Sequence, residues 1–237
     1  MNLVLLEEDS SASTVRLTGR QARHILEILK PCVGDTLRVG VLNGKVGTAR
    51  VLEVDPGAIH LSIDLSDDPP AKIPVTVACA LMRPLVLKRV LLTLSSLGVP
   101  EIHLFHSRRV EKSFWQSAVL REEGIRSEMI LGLEQARDTV LPRVFLHKRF
   151  KPFTEDVLPG LLEGCQGIVA DPGGERMHGI RHTPQERDSC VLIVGPEGGF
   201  IPYELEAFDR AGCRRVSLGE RILRVETALV SLIAKLI

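Results

Sequence analysis

The sequence predicts a chain in two parts, a small β-barrel followed by an α/β layer on a mostly parallel sheet. Three observations predict it. The stretch Asp67-Asp68-Pro69-Pro70-Ala71-Lys72-Ile73-Pro74 sets three prolines behind two acids. Prolines so close together continue neither a ladder nor a helix, and the stretch reads as an extended linker. Upstream, short β-rich segments are punctuated by Gly34-Asp35, Asn43-Gly44 and Pro56-Gly57. Downstream, continuous apolar runs alternate with helical patterns, as in βα units. The expected division is therefore 1–68 for the barrel, 69–74 for the linker and 75–237 for the α/β domain.

In the first part, strands are expected at Thr14–Leu17, Thr36–Leu42, Gly47–Val54 and Ile59–Ile63. Asn43-Gly44 between the second and third is a strong hairpin signal, because both residues tolerate the positive φ of a tight turn. One helix, about Gly19–Leu29, interrupts the strands. Roughly 65 residues of this kind suit a small barrel.

In the second part, Val75–Leu81 is a continuous apolar run but for Thr76, as in a strand buried on both faces. Pro84 opens a helix at its favoured first-turn position, and Gly98 closes it after Leu97. Glu101–Phe105 reads as a strand and Ser113–Ala136 as a long helical region with polar interruptions. A short helix around Thr154–Glu163 precedes strands at Gly167–Asp171 and Val191–Val194. A helix at Pro202–Ala211 ends at Gly212, Arg214–Leu218 forms a last strand, and a final helix starts near Arg224. In that helix Val225, Ala228, Leu229, Leu232, Ile233 and Leu236 make one apolar stripe, which suits core or a subunit interface.

Composition narrows the function classes. The chain has 237 residues, 44% hydrophobic and 25% charged, with ordinary Gly and Pro content, which excludes disorder and fibrous repeats. No apolar run approaches the roughly 18–20 residues that span a bilayer, so no membrane association is expected. The N-terminus lacks a basic leader, and Glu7-Glu8-Asp9 cut its apolar run short, unlike a signal peptide. Five dispersed cysteines without a CxxC suit free thiols in a reducing cytoplasm.

Metal binding is not expected either. His178 and His182 are separated by a glycine-containing polar loop, and His103 and His106 would face opposite sides of a strand. Net charge is zero, yet residues 83–151 carry 13 Lys+Arg against 7 Asp+Glu. Such a local excess is compatible with a structured anionic partner or with an ordinary solvated face.

Two glycine-rich turns at strand ends carry the chemistry. Val191–Val194 runs directly into Gly195-Pro196-Glu197-Gly198-Gly199-Phe200. There the glycines let a ligand approach bare backbone, at the strand end where open α/β sheets bind ligands. It is neither GxGxxG nor a phosphate loop with Lys-Ser/Thr, so a nicotinamide oxidoreductase is disfavoured. The second turn is Leu218-Gly219-Glu220-Arg221-Ile222-Leu223-Arg224, leading into Val225-Glu226-Thr227-Ala228.

Taken together, these two turns closely resemble those of the bacterial 16S rRNA (uracil-N3)-methyltransferases, members of the SPOUT superfamily. Leu97-Gly98-Val99, Ser107-Arg108-Arg109, Glu134-Gln135 and Pro142 resemble weaker landmarks of that family. Thr18-Gly19, His24-Ile25-Leu26 and Gly34-Asp35 resemble its PUA-like RNA-binding module.

The resemblance implies a deep trefoil knot in the α/β domain, a homodimer, and S-adenosylmethionine (SAM) held in a bent shape. The matching positions are Gly195, Pro196, Glu197, Gly198 and Gly199, with Leu218, Gly219, Arg221, Ile222 and Leu223. Backbone groups of such turns can read adenine, and Leu218, Ile222 and Leu223 can seat it. The implied substrate is 16S ribosomal RNA or the small ribosomal subunit, and the implied reaction is methyl transfer to uridine N3. That reaction requires alignment and stabilisation of negative charge on uracil.

Arg224 is the candidate for that stabilisation, with an ion pair to Glu226 as the competing reading. Glu197 is either a general base or a brace for its turn, and no base is assigned. Arg108, Arg109 and Lys112, near Trp115, are candidate phosphate contacts, as are Arg20, Arg23 and His24 in the barrel. Two departures from the family pattern stand out: Thr93 and Ser96 replace a usual Lys and Glu, and Glu134-Gln135-Ala136-Arg137-Asp138 carries its arginine shifted one position, to the fourth place of the run rather than the fifth. They leave a second reading, a non-catalytic RNA-binding or ribosome-assembly protein that retains the fold.

Overall fold

The computed structural model describes residues 2–6, 13–177 and 189–237. Two compact units emerge, Met1–Ala71 with Met129–Leu141, and Lys72–Glu128 with Pro142–Ile237.

The first unit is built on five strands: β1 (Val4–Leu6), β2 (Thr14–Leu17), β3 (Thr36–Val41), β4 (Val46–Asp55) and β5 (Ala58–Asp67). They form one sheet in the order β1-β3-β4-β5-β2, curled as a half-barrel. The β3–β4 hairpin turns at Asn43, whose φ of 57° is the left-handed conformation expected of Asn-Gly. Helix α1 (Gly19–His24) continues as a π-helical turn over Ile25–Leu29, which together cover the expected helix. Ala22 and Ile25, both wholly buried, pack with Val39, Val51, Ile59 and Leu61 into the core of this unit.

Strand β1 was not anticipated. Three residues are too few to show alternation, and only pairing with β3 in parallel makes them a strand. Residues Met129–Leu141 were likewise not foreseen in this unit. Leu133 packs with Leu3, Leu5, Leu42 and Val46, while Asn2 and Leu3 donate their amides to the carbonyl of Glu134 at 2.9 and 3.0 Å.

The second unit holds β6 (Val75–Ala80), α2 (Pro84–Ser96), β7 (Glu101–Phe105), α3 (Glu122–Ala136, its first part), β8 (Arg143–His147), α4 (Phe150–Pro152), α5 (Leu158–Leu161), β9 (Cys165–Arg176), β10 (Ser189–Val194), α6 (Pro202–Arg210), β11 (Arg214–Ser217) and α7 (Val225–Leu236). All six strands run parallel, in the order β11-β9-β10-β6-β7-β8. Central β6 is flanked on both sides, and Val77 to Ala80 are wholly buried, as its almost wholly apolar run predicts.

Three boundaries differ from expectation. The helical region expected from Ser113 begins as two 3₁₀ turns, Lys112–Gln116 and Ala118–Leu120, before α3. Edge strand β8 was missed because it is short and largely exposed. Strand β9 runs on through Arg176, past Pro172. The proline is tolerated because β10 pairs only with residues up to Ala170, and β11 shifts register between Arg215 and Val216. The His178/His182 pair and the acidic Glu7-Glu8-Asp9 lie outside the described residues.

All five cysteines are free. Burial pushes the thiols of Cys79 and Cys190 up to about 12 and that of Cys213 up to about 11, so these three sit as neutral core residues. Among the described residues, no helix is long and apolar enough to cross a membrane.

Candidate active site at the carboxyl edge of the parallel sheet

Because every strand of the second unit is parallel, all of their carboxyl ends fall on one edge. Strand β10 ends at Val194 and opens into the Gly195–Phe200 turn, which the amide of Gly199 closes on the carbonyl of Pro196 at 2.8 Å. Strand β11 ends at Ser217, whose hydroxyl accepts from the amide of Gly219 at 3.2 Å and donates to its carbonyl at 3.1 Å.

The two turns face one cavity of about 230 Å³. Its lining includes every position that the sequence singled out for cofactor contact: Gly195, Pro196, Glu197, Gly198, Gly199, Leu218, Gly219, Arg221, Ile222 and Leu223. Val225, Ala228 and Leu232 of α7 close the apolar side. So the helix stripe serves both core and cavity: Leu229, Ile233 and Leu236 are buried, while Ala228 lines the opening.

Two carboxylates, Asp171 and Glu197, border the cavity with one guanidinium, Arg221. Asp171 directly follows Ala170, the last residue of β9 paired with β10, and lies 3.9 Å from Arg215. The sequence offered one missed signal for Asp171, an acid immediately after an apolar strand on the ligand-binding edge.

The glycine turn is braced from outside. Arg109 donates from Nη1 to the carbonyl of Gly198, and a Cβ at Gly198 would approach the Arg109 Cδ to 3.1 Å. Glu197 accepts from the amide of Arg83 at 3.4 Å, which ties the turn to the start of α2. Glu204, only 2% exposed, accepts from the amides of Arg108 at 2.7 Å and Ile201 at 3.0 Å. One buried carboxylate thereby joins the loop after β7 to the end of the glycine turn. Phe200 anchors the same turn among Phe105, Phe153 and Phe208; Phe105 stacks on Phe153 with centroids 4.5 Å apart. The role of Glu204 was invisible in sequence, since its partners are main-chain groups.

Arg224 occupies the N-cap of α7 and is exposed, next to Leu223 and Val225 but outside the cavity lining. Glu226, the ion-pair partner considered for it, instead lies 4.0 Å from Arg89. Arg108 and Lys112 are exposed, as is Arg23 on α1, and His24 is half-buried. Arg20 is paired through both terminal nitrogens with the buried Glu134, at 3.1 and 2.9 Å, with its side chain still 55% exposed. Among the described residues, Glu53, Asp55 and His60 gather their ligand atoms within 4.8 Å, but the Arg16 Nε donates to the His60 Nε2 at 3.1 Å.

A family model described as an RNA methyltransferase domain matches residues 69–237. The chain belongs to that family. The chain is 29% identical over 240 residues to a ribosomal RNA small subunit methyltransferase E of Treponema pallidum, covering 96% of this chain and 87% of the relative. A crystal structure of the ribosomal RNA small subunit methyltransferase E of Neisseria gonorrhoeae, bound to S-adenosyl methionine, aligns over 99% of this chain and 95% of its own, with a TM-score of 0.76 at 24% identity. A probable rRNA-methyltransferase from Porphyromonas gingivalis aligns over 100% of this chain and 98% of its own, with a TM-score of 0.75 at 22% identity. These likenesses show that this RNA methyltransferase family member shares their fold, an α/β domain on a parallel sheet preceded by a curled half-barrel.

Proposed function

We propose that this protein is a SAM-dependent methyltransferase that methylates N3 of a uridine in 16S ribosomal RNA. One observation carries the reading: within an RNA methyltransferase family member, both glycine turns line a single cavity at the ligand-binding edge of the sheet. The cavity suits SAM chemically. Apolar Leu218, Ile222, Leu223 and Leu232 offer an adenosyl seat, glycine backbone offers hydrogen-bonding groups, and Asp171 and Glu197 outnumber Arg221 beside a cationic ligand. SAM supplies an electrophilic methyl group there.

The remaining work belongs to the chain. The Gly195–Gly199 and Leu218–Leu223 turns hold the donor and exclude water from its apolar side. Uracil N3 must lose its proton as its bond to the methyl carbon forms and the carbon–sulfur bond breaks. Arg224, beside the second turn, stabilises the resulting charge on uracil. Arg20, Arg23 and His24 in the half-barrel, with Arg108, Arg109 and Lys112, contact the RNA; the Glu134 pair sets the orientation of Arg20.

The test is methyl transfer from labelled SAM to 16S rRNA or the small subunit, with the modified base identified by mass spectrometry. Methylation at uridine N3 supports the reading. RNA binding without transfer would instead favour the assembly-factor reading. Arg224→Ala is expected to lower kcat about 100-fold, the scale of a lost charge-stabilising donor, while SAM affinity stays unchanged. A native rate in that variant refutes the role.

A homodimer forms part of the same reading. Val230, 40% exposed on α7, lines a groove with Leu92, Thr93, Arg89 and Glu226, and Leu85, 63% exposed, lies on the same helix α2 as Leu92. Helix faces of this kind ask for a cover. Light scattering should give twice the chain mass for the native protein and a shift to the single-chain mass for Val230→Asp. A native protein that stays monomeric at micromolar concentration counts against the dimer.

A further inference from the structure

A second concave feature lies on the same carboxyl edge, away from the glycine turns. His106, the first residue past β7, donates its amide to the carbonyl of His147, the last residue of β8, at 2.9 Å. The two loops are therefore tied together where they leave the sheet. A groove of about 580 Å³ opens at this junction, lined by the basic residues His106, Lys148, Arg149 and Lys151 and by the acids Glu155 and Asp156. Lys151 lies 3.7 Å from Glu155 and offsets that carboxylate. Lys148 and Arg149 are exposed and make no ion pair among the described residues.

The indole of half-buried Trp115 donates to the His106 Nδ1 at 3.0 Å, setting an aromatic surface beside the groove. Burial first, and then nearby Lys112, hold the His106 imidazole below its ordinary range, which keeps it a neutral acceptor for that bond although Glu204 pulls the other way. Position matters as much as charge. The order β10-β6-β7-β8 separates the ends of β8 and β10 by three strand spacings, about 14 Å. A single RNA strand of a few nucleotides covers that distance, and Arg109, in the loop after the intervening β7, reaches the carbonyl of Gly198.

We propose that this groove docks the phosphodiester backbone of the RNA strand whose base is presented to the glycine-turn cavity, with Lys148 and Arg149 as the phosphate contacts. The inference rests on the RNA methyltransferase reading above and places within the basic segment 83–151 a contact site that the sequence did not single out residue by residue. An exposed fork-shaped guanidinium beside an ammonium, next to an indole and in line with the cavity, is the chemistry that fits a flexible polyanion carrying bases.

The test uses the full-length protein, with the double variants Lys148→Glu/Arg149→Glu and Lys148→Ala/Arg149→Ala. Binding to a 16S rRNA transcript and to small ribosomal subunits is titrated over a salt series, with SAM binding measured in parallel. In the charge-reversed variant, RNA affinity should fall about ten-fold or more. In the alanine variant, the slope of log affinity against log salt should become shallower by roughly 1.4, the loss of two single-strand phosphate contacts. SAM affinity should stay at the native value in both, which also shows that the fold survives. RNA affinity and salt slope within about two-fold of native, in a protein that methylates RNA, overturn the groove and leave the enzyme reading standing. A native protein that binds RNA through these residues but transfers no methyl group upholds the docking site and overturns the enzyme reading instead.

Discussion

Gly219→Val should weaken SAM binding by about 10- to 100-fold while leaving the protein folded. Gly219 has a φ of 130°, in a region where a β-branched residue is a genuine outlier. No atom lies within 4 Å of where its Cβ would be, so a Cβ meets nothing in the surrounding protein. The penalty, about 1–3 kcal/mol, is purely one of backbone conformation. It is relieved only by moving the turn that Ser217 closes, and that turn carries Leu218, Arg221, Ile222 and Leu223 into the cavity. Calorimetry with SAM and S-adenosylhomocysteine checks this, alongside circular dichroism. Gly198→Ala is the informative comparison: its Cβ meets the flexible Arg109 side chain at 3.1 Å, which can yield, so its effect should be several-fold smaller. Native SAM affinity in Gly219→Val would remove the second turn from the proposed site.

Removing the Glu204 carboxylate carries the other large effect. It accepts two main-chain amides from different segments while almost completely buried. Hydrogen bonds to a charged acceptor contribute about 1.5–3 kcal/mol each, so Glu204→Ala should destabilise the protein by about 3 kcal/mol or more. The consequence is also local. With the loop after β7 freed from the glycine turn, SAM affinity should fall even at temperatures where the protein remains folded. Glu204→Gln keeps an acceptor oxygen and should lose roughly half as much stability. Urea titration measures the first effect and calorimetry the second. A Glu204→Ala protein within about 0.5 kcal/mol of native stability would show that the two amides find other partners at no cost.

Much of this architecture was legible along the chain, for reasons that differ by element. Asn43-Gly44 could be read as a hairpin because the constraint, positive φ in a two-strand turn, is local. Strand β6 could be read because burial on both faces leaves Thr76 as its one polar residue, and α7 because one apolar stripe repeats at helical spacing. The two glycine turns were legible as candidate ligand loops through their place after apolar strands, and they line one cavity. By contrast, β1 and β8 depend on a partner strand for their existence. The helical region after Lys112 breaks at Ser117, where the hydroxyl accepts from the amide of Val119, and Gly124 lies hard against the carbonyl of Ala118. Neither contact leaves a periodic trace.

The site divides along the same line. The sequence by itself determined which residues could hold a ligand, because glycine at a strand end and an apolar run beside it are properties of residue type and spacing. It also determined the class of fold, because parallel strands and their covering helices each impose a period on the residues that form them. Only the tertiary structure decided that Gly195–Gly199 and Leu218–Leu223 face one cavity, that Asp171 joins them, and that Arg224 stands just outside. It alone paired Glu226 with Arg89, Arg20 with Glu134, and Arg109 with the carbonyl of Gly198. The physical reason is common to all of these. A charged side chain reaches several ångströms in any direction, and its partner is chosen by what the folded backbone brings near, a quantity that no local pattern encodes.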